Sequence, residues 1–130
     1  MRANVLHKLD KPAAVLKDVD RFLKTRPARD AMSSALYLRG LAEARLKQYD
    51  HAEQTYRSIL KQHPKFAAAD QVLYELAWAQ HDSGQGDATA TFHQLAENHP
   101  TSPLAAECWY RVGESQYAAD QAQAALHSFS

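Results

Sequence analysis

With 130 residues and fifteen basic against fifteen acidic side chains, the chain has no net charge to draw it to nucleic acid or to an anionic membrane. No apolar run approaches the roughly 18 residues that span a bilayer, so direct membrane insertion is not expected. One cysteine, Cys108, excludes an intrachain disulfide and a cysteine-based zinc site, and four Gly and five Pro in an Ala-, Leu- and Gln-rich chain favour helix over strand.

Eight helical segments are expected in chain order. The first covers about residues 2–9, and its charged sequence MRANVLHKLDK lacks the apolar stretch of a signal peptide. Asp10 reads as the N-cap of the second, with Pro12 in the first turn, where its missing N–H costs nothing. That helix stops near Thr25, because a residue preceding a proline, here Pro27, is pushed out of the helical region. The third begins near Ser33 and Ser34, either of which suits a cap, and reaches about Lys47. Asp50 followed by Glu53 has the spacing of a capping-box variant and opens the fourth, which runs to about Gln62.

The fifth spans about Phe66 to Asp82, with Gly84 available for a left-handed C-terminal position. Gly86-Asp87 opens the sixth, which ends before His99-Pro100. Ser102 and Pro103 open the seventh, which reaches about Ala118, and an eighth starts near Asp120. Short turns within each pair make the paired helices antiparallel neighbours.

These segments recur. Tyr37 follows Pro27 by ten residues, as Tyr74 follows Pro64 and Tyr110 follows Pro100. YRSILKQHP (56–64) aligns with FHQLAENHP (92–100) at an offset of 36, and VLKDVDRFLKTRP (15–27) with AEQTYRSILKQHP (52–64) at 37. A period of 20–50 residues signals a stacked array. On the first helix of each pair Leu36, Leu73 and Trp109 precede small Gly40, Ala77 and Gly113 by four residues; on the second, Ala52, Ala88 and Ala125 precede Tyr56, Phe92 and Phe129. A large residue one turn from a small one offers a knob and a gap, so paired helices approach closely. Glycine inside a helix costs about 1 kcal/mol relative to alanine, so Gly40 and Gly113 need a packing reason, which close contact supplies.

The stretch LYLRGLAEARLKQYDHAEQTYRSILKQHP (36–64) resembles a tetratricopeptide repeat, with Leu36, Gly40, Tyr49, Ala52, Tyr56, Ile59 and Pro64 on signature positions. Leu73, Ala77, Ala88, Phe92, Leu95 and Pro100 match in the next unit, and Trp109, Gly113, Ala125 and Phe129 in the last. A first, partial unit carries Ala3, Val15, Val19, Phe22 and Pro27. The resemblance implies an all-α, α-α superhelix of about eight antiparallel helices. It would form one array over 1–130, with a partial repeat at 1–27, repeats at 33–64 and 66–100, and an incomplete one at 103–130. The chain opens inside one pair and ends inside another, as a piece of a longer array would.

Two departures stand out: Arg39 occupies a position usually apolar, and the period is 36–37 rather than the 34 of the family. The extra residues fall between proline and tyrosine, implying a longer first helix or a wider turn between repeats. With segments such as HPTSPLAAECWYRVGESQY (99–117), that variant is similar to bacterial envelope proteins: the lipoproteins of outer-membrane protein assembly and the periplasmic partner of the Tol–Pal system. This favours a periplasmic or cell-envelope location over the cytoplasm.

In tetratricopeptide arrays the first helices line a concave face that binds a peptide segment. Carried onto this chain, the face holds Tyr37, Leu41 and Ala44, then Tyr74, Trp78 and His81, then Tyr110, Glu114 and Tyr117. Tyr and Trp are common interface anchors. The three tyrosines fit packing between adjacent first helices equally well, whereas Trp78 and Tyr117 have no counterpart in other units. Arg39, Arg45 and Arg111 offer carboxylate clamps or, alternatively, pairs with neighbours such as Glu43 and Glu114.

His63 and His99 occupy equivalent positions at helix C-termini, where a cation suits the dipole. His93 and Glu97 share a face, but two ligands do not make a metal site, and HExxH is absent. No GxSxG, phosphate-cradling glycine loop or catalytic-cysteine signature occurs, so neither catalysis nor a cofactor is expected. The leading expectation is a non-enzymatic scaffold binding a partner peptide or helix. Alternatives are a structural spacer or self-association segment forming a homo-oligomer through exposed terminal repeats, and a helical accessory domain of a larger enzyme.

Overall fold

The computed structural model describes residues 11–128, with side chains to Asp120, and among these the chain is all-α. Its helices are α1 (Pro12–Leu23), α2 (Arg29–Arg45), α3 (Tyr49–Gln62), α4 (Ala69–Ser83), α5 (Ala88–Asn98) and α6 (Ala105–Ser128). The expected first helix, the Asp10 cap, and the signature residues Ala3 and Phe129 lie outside the described residues.

Several boundaries depart from expectation for local reasons. Pro12 opens α1, as its fixed φ favours, with Lys11 in the cap position. The third expected helix, here α2, starts at Arg29 rather than near Ser33. Asp30 in its first turn suits the positive end of the helix, and Ser33 lies one turn inside. Its hydroxyl donates back to the carbonyls of Arg29 (3.3 Å) and Asp30 (2.9 Å), which lets a serine sit within a helix instead of capping it. At the other end α2 closes at Arg45, with Lys47 left-handed at φ 62. The amides of Lys47 and Gln48 donate to the carbonyls of Ala44 and Glu43, a Schellman closure made without glycine. Asp50 falls in the first turn of α3 and caps nothing with its side chain.

Elsewhere the turn chemistry matches. Gly84 takes a left-handed conformation (φ 72) after α4, and the Asp87 carboxylate accepts the Ala90 amide at the start of α5. Between repeats the added length is a wider turn. Phe66 N–H donates to His63 O and Ala69 N–H to Phe66 O, and the same pair recurs at Ser102 and Ala105. The Ser102 hydroxyl accepts the Leu104 amide there, so α4 begins at Ala69 rather than Phe66 and α6 at Ala105. The break expected near Asp120, and with it a separate eighth helix, is absent: α6 runs through to Ser128. Tyr117-Ala118-Ala119-Asp120 contains neither Gly nor Pro, and alanine is the strongest helix former, so nothing local stops the helix.

Each helix packs on the next in sequence, and α2 also touches α4. The short connection at 46–48 folds α3 back along α2, and the one at 84–87 folds α5 back along α4. Ala52, Tyr56, Ile59, Val72, Leu76 and Ala79 form one core cluster; Leu73, Tyr74, Ala77, Phe92, Leu95, Ala96, Cys108 and Val112 form the next. Each cluster draws on both sides of a helix pair, so the interior runs from unit to unit. Gly40 supplies the expected gap: a β-carbon there would lie 2.8 Å from Cδ1 of fully buried Tyr56, and nearer still to Cε1. At Gly113 no described residue lies within 4 Å of an added β-carbon, and Trp109 beside it is 47% exposed, edge-on to His93. By the repeat its partner would be Phe129, outside the described residues.

Gly40→Ala should therefore lose stability despite its better helix propensity, by a net 1–2 kcal/mol or so, while Gly113→Ala should gain about 1 kcal/mol. Denaturant melts of the two variants, followed by helical circular dichroism, check the contrast. Cys108 sits in the second cluster, where burial, with a smaller contribution from the Glu107 charge, pushes its thiol up to about 11. It should resist thiol reagents at pH 8 in the folded chain and react promptly once denaturant opens the core, as mass spectrometry would record.

Candidate partner-binding face

The residues expected on the inner stripe fall into two groups. Three serve the stack itself. Leu41, on α2, is 1% exposed and packs against Val15 and Leu16 of α1, so no partner reaches it. Half-buried Tyr37 donates from its hydroxyl to Gln71 Oε1 on α4 (3.4 Å) and meets the Phe66 ring edge-on. Tyr74, 7% exposed, repeats this arrangement one unit on, donating to Glu107 Oε2 on α6 at 2.9 Å. Gln71 and Glu107 are themselves repeat-equivalent. Both tyrosines tie one first helix to the next, as packing between first helices requires.

The remaining residues are accessible. Trp78, half-buried on α4, has its ring edge-on to Tyr74, Phe92 and His81, at 6.2, 5.6 and 5.3 Å between centroids. The Arg111 guanidinium of α6 lies over it, 5.0 Å from the ring centroid, within the range of a cation–π contact. Two carboxylates hold that guanidinium: Glu107 at 3.8 Å and Glu114 at 3.4 Å. The structure thus joins Trp78 to Glu114 through Arg111, and to His81 through direct ring contact. His81 lies beside Asp82 (3.4 Å). Tyr110 and Tyr117 stand further out on α6, 62% and 68% exposed, and at i, i+7 they share one side of the helix.

A cleft of about 190 Å³ opens between α2 and α4, lined by Ala44 and Arg45 on one side and by Glu75, Trp78 and Asp82 on the other. Lys47 and Tyr49 close its end. Glu75, 5% exposed, was not legible as a cleft residue, because its neighbour Tyr74 dominated the stripe; Asp82, one turn beyond Trp78, carried the i+4 signal. Arg39 pairs with Asp20 (3.3 Å) and Glu43 (3.8 Å), which explains a cation at a position usually apolar. Thr55 also donates to the buried Glu43 carboxylate, at 2.6 Å.

His93 and Glu97 pair at 3.2 Å, and among the described residues no group of three or more His, Cys, Asp or Glu is placed to hold a metal ion. No helix of the described residues is long and apolar enough to cross a membrane.

The family YfiO, described as outer membrane lipoprotein, matches this sequence over residues 29–127, from the first residue of α2 almost to the end of α6. No curated protein matches the chain. The match covers the helices whose small–large pairing and proline–tyrosine spacing resemble tetratricopeptide repeats, and the chain belongs to this YfiO family of tetratricopeptide-type envelope proteins.

Proposed function

We propose that the chain is a non-enzymatic protein-interaction module of the cell envelope. Its first helices α2, α4 and α6 present a concave face to a peptide or helix of a partner protein. The helices would wind as one tetratricopeptide superhelix. The contact set on this reading is Trp78, His81, Tyr110, Glu114 and Tyr117, with Tyr37, Leu41 and Tyr74 behind them as packing.

The observation that carries the reading is the Trp78–Arg111 pair beside an open cleft. An aromatic face already stacked with a guanidinium is a rigid surface that loses little entropy on binding. Carboxylates at Glu75, Asp82, Glu107 and Glu114 outnumber the cations Arg45, Lys47 and Arg111 along this face, so a peptide with a basic residue beside an apolar anchor suits it best. Outer-membrane family membership supports a place in the envelope and protein partners.

A second reading is favoured by α6. Trp109, Tyr110 and Tyr117 are all large and 47–68% exposed, as expected of a helix whose outer surface meets another array or a second copy of this chain.

Trp78→Ala with Tyr117→Ala should weaken binding of a partner peptide by about 2 kcal/mol or more, roughly thirtyfold, while leaving helicity intact. Calorimetric titration of envelope-protein peptides into both chains measures it, and unchanged affinity would remove the concave face as the site. Sedimentation equilibrium decides the second reading: association lost on Tyr110→Ser with Tyr117→Ser supports it, and a strict monomer at high concentration rejects it.

A further inference from the structure

A second cavity, of about 670 Å³, lies at the turn between α3 and α4, and none of the concave-face residues lines it. His63, in its wall, is 8% exposed, and neither ring nitrogen has a hydrogen-bond partner among the described residues. A buried imidazole in that condition carries a desolvation cost that a bound polar group would relieve. Across the cavity stands the first turn of α2, where Ala28 in the cap position offers no side-chain acceptor to the amides behind it. The Arg29 guanidinium is fixed there by a 2.7 Å bond to the Gln62 carbonyl, which occupies one of its donors. Lys65 adds a second cation and Ser34 a hydroxyl, while Phe66 supplies an apolar wall; Asp30 is the opposing charge.

The next junction shows how the same space is closed when the sequence allows it. Ser33 and Phe66 correspond by the repeat to Asp70 and Ser102. There the Ser102 hydroxyl donates to the Asp70 carboxylate at 2.6 Å. Ser33 instead spends its hydroxyl on its own helix, and Phe66 has no donor to offer, so the bond is missing where the cavity stands.

We propose that this cavity binds a phosphate group, free or carried as a lipid headgroup. Guanidinium, ammonium, imidazole, hydroxyl and first-turn amides together present more donors than the two oxygens of a carboxylate accept. A phosphate brings three or more oxygens, and a helix N-terminus favours its charge. Arg29 and Lys65 outweigh Asp30, and Phe66 gives the carbon skeleton of a lipid headgroup a surface to lie on.

The test is titration of the 130-residue chain with inorganic phosphate, followed by amide NMR, against sodium chloride and acetate at matched ionic strength. Saturable shifts confined to residues 29–34 and 63–66 are expected with phosphate only. Arg29→Gln and Lys65→Gln, both at exposed positions, should each weaken binding about tenfold, as loss of one charged hydrogen bond does. Flotation with phosphatidylcholine vesicles, with and without phosphatidylglycerol, separates the sources. Binding to the anionic vesicles that Arg29→Gln and Phe66→Ser both abolish identifies a headgroup, whereas a phosphate titration with inert vesicles identifies the free ion. Shifts matched by chloride or acetate, or an affinity indifferent to both cation variants, would overturn the proposal.

Discussion

The stack rests on how closely two antiparallel helices can approach, and Gly40 beneath the Tyr56 ring sets that distance for the first complete pair. Without a side chain at Gly40, Tyr56 lies flush against the α2 backbone and is fully buried. Its neighbours Ile59 and Ala52 then reach Val72 and Leu76 of the following unit. Ala77 and Phe92, at the equivalent positions of the next unit, share the second core cluster. Because the two larger clusters each draw residues from successive units, the interior is shared between neighbours, as in stacked repeats.

Hydrophobic contact alone would leave successive units free to slide, since apolar packing has little directionality. Polar ties fix their register. Tyr37 reaches Gln71 and Tyr74 reaches Glu107, one first helix to the next, while Thr91, Gln80 and Glu53 link α5, α4 and α3 through hydrogen bonds. What these ties leave over is the surface of α4 and α6 around Trp78 and Arg111, the face proposed for a partner.

Much of this was legible in the sequence because it is carried by spacing. Repeat period, helix pairing, the Gly84 and Asp87 turn chemistry and the gap at Gly40 all follow from residue type at fixed intervals. What was not legible depends on competition between local options. Ser33 had the chemistry of a cap, yet its hydroxyl found nearer acceptors within a helix already begun. Lys47 adopts a left-handed conformation usually left to glycine, because the helix-closing bonds to Glu43 and Ala44 offset the strain. The candidate site divided for a similar reason: periodicity places Leu41, Tyr74 and Trp78 on one stripe, but only the neighbouring helix decides which of them it covers. Leu41 is covered by α1, and Trp78 stays at the edge of a cleft.

The two junctions between units are unequal, and the inequality gives the array a direction. Between the α2–α3 and α4–α5 pairs the polar ties are long, Tyr37 to Gln71 and Gln80 to the Glu53 carboxylate, each 3.4 Å, and a cavity stands at the turn. Between α4–α5 and α6 the tie is a short bond to a carboxylate, Tyr74 to Glu107, reinforced by Ser102 on Asp70. Bonds to a charged group are strongest when they are short. A chain of nearest-neighbour contacts yields at its weakest link, so a pull along the array parts the first junction before the second. On these ties, the turn between α3 and α4 would yield more readily than the junction where Trp78 meets Arg111.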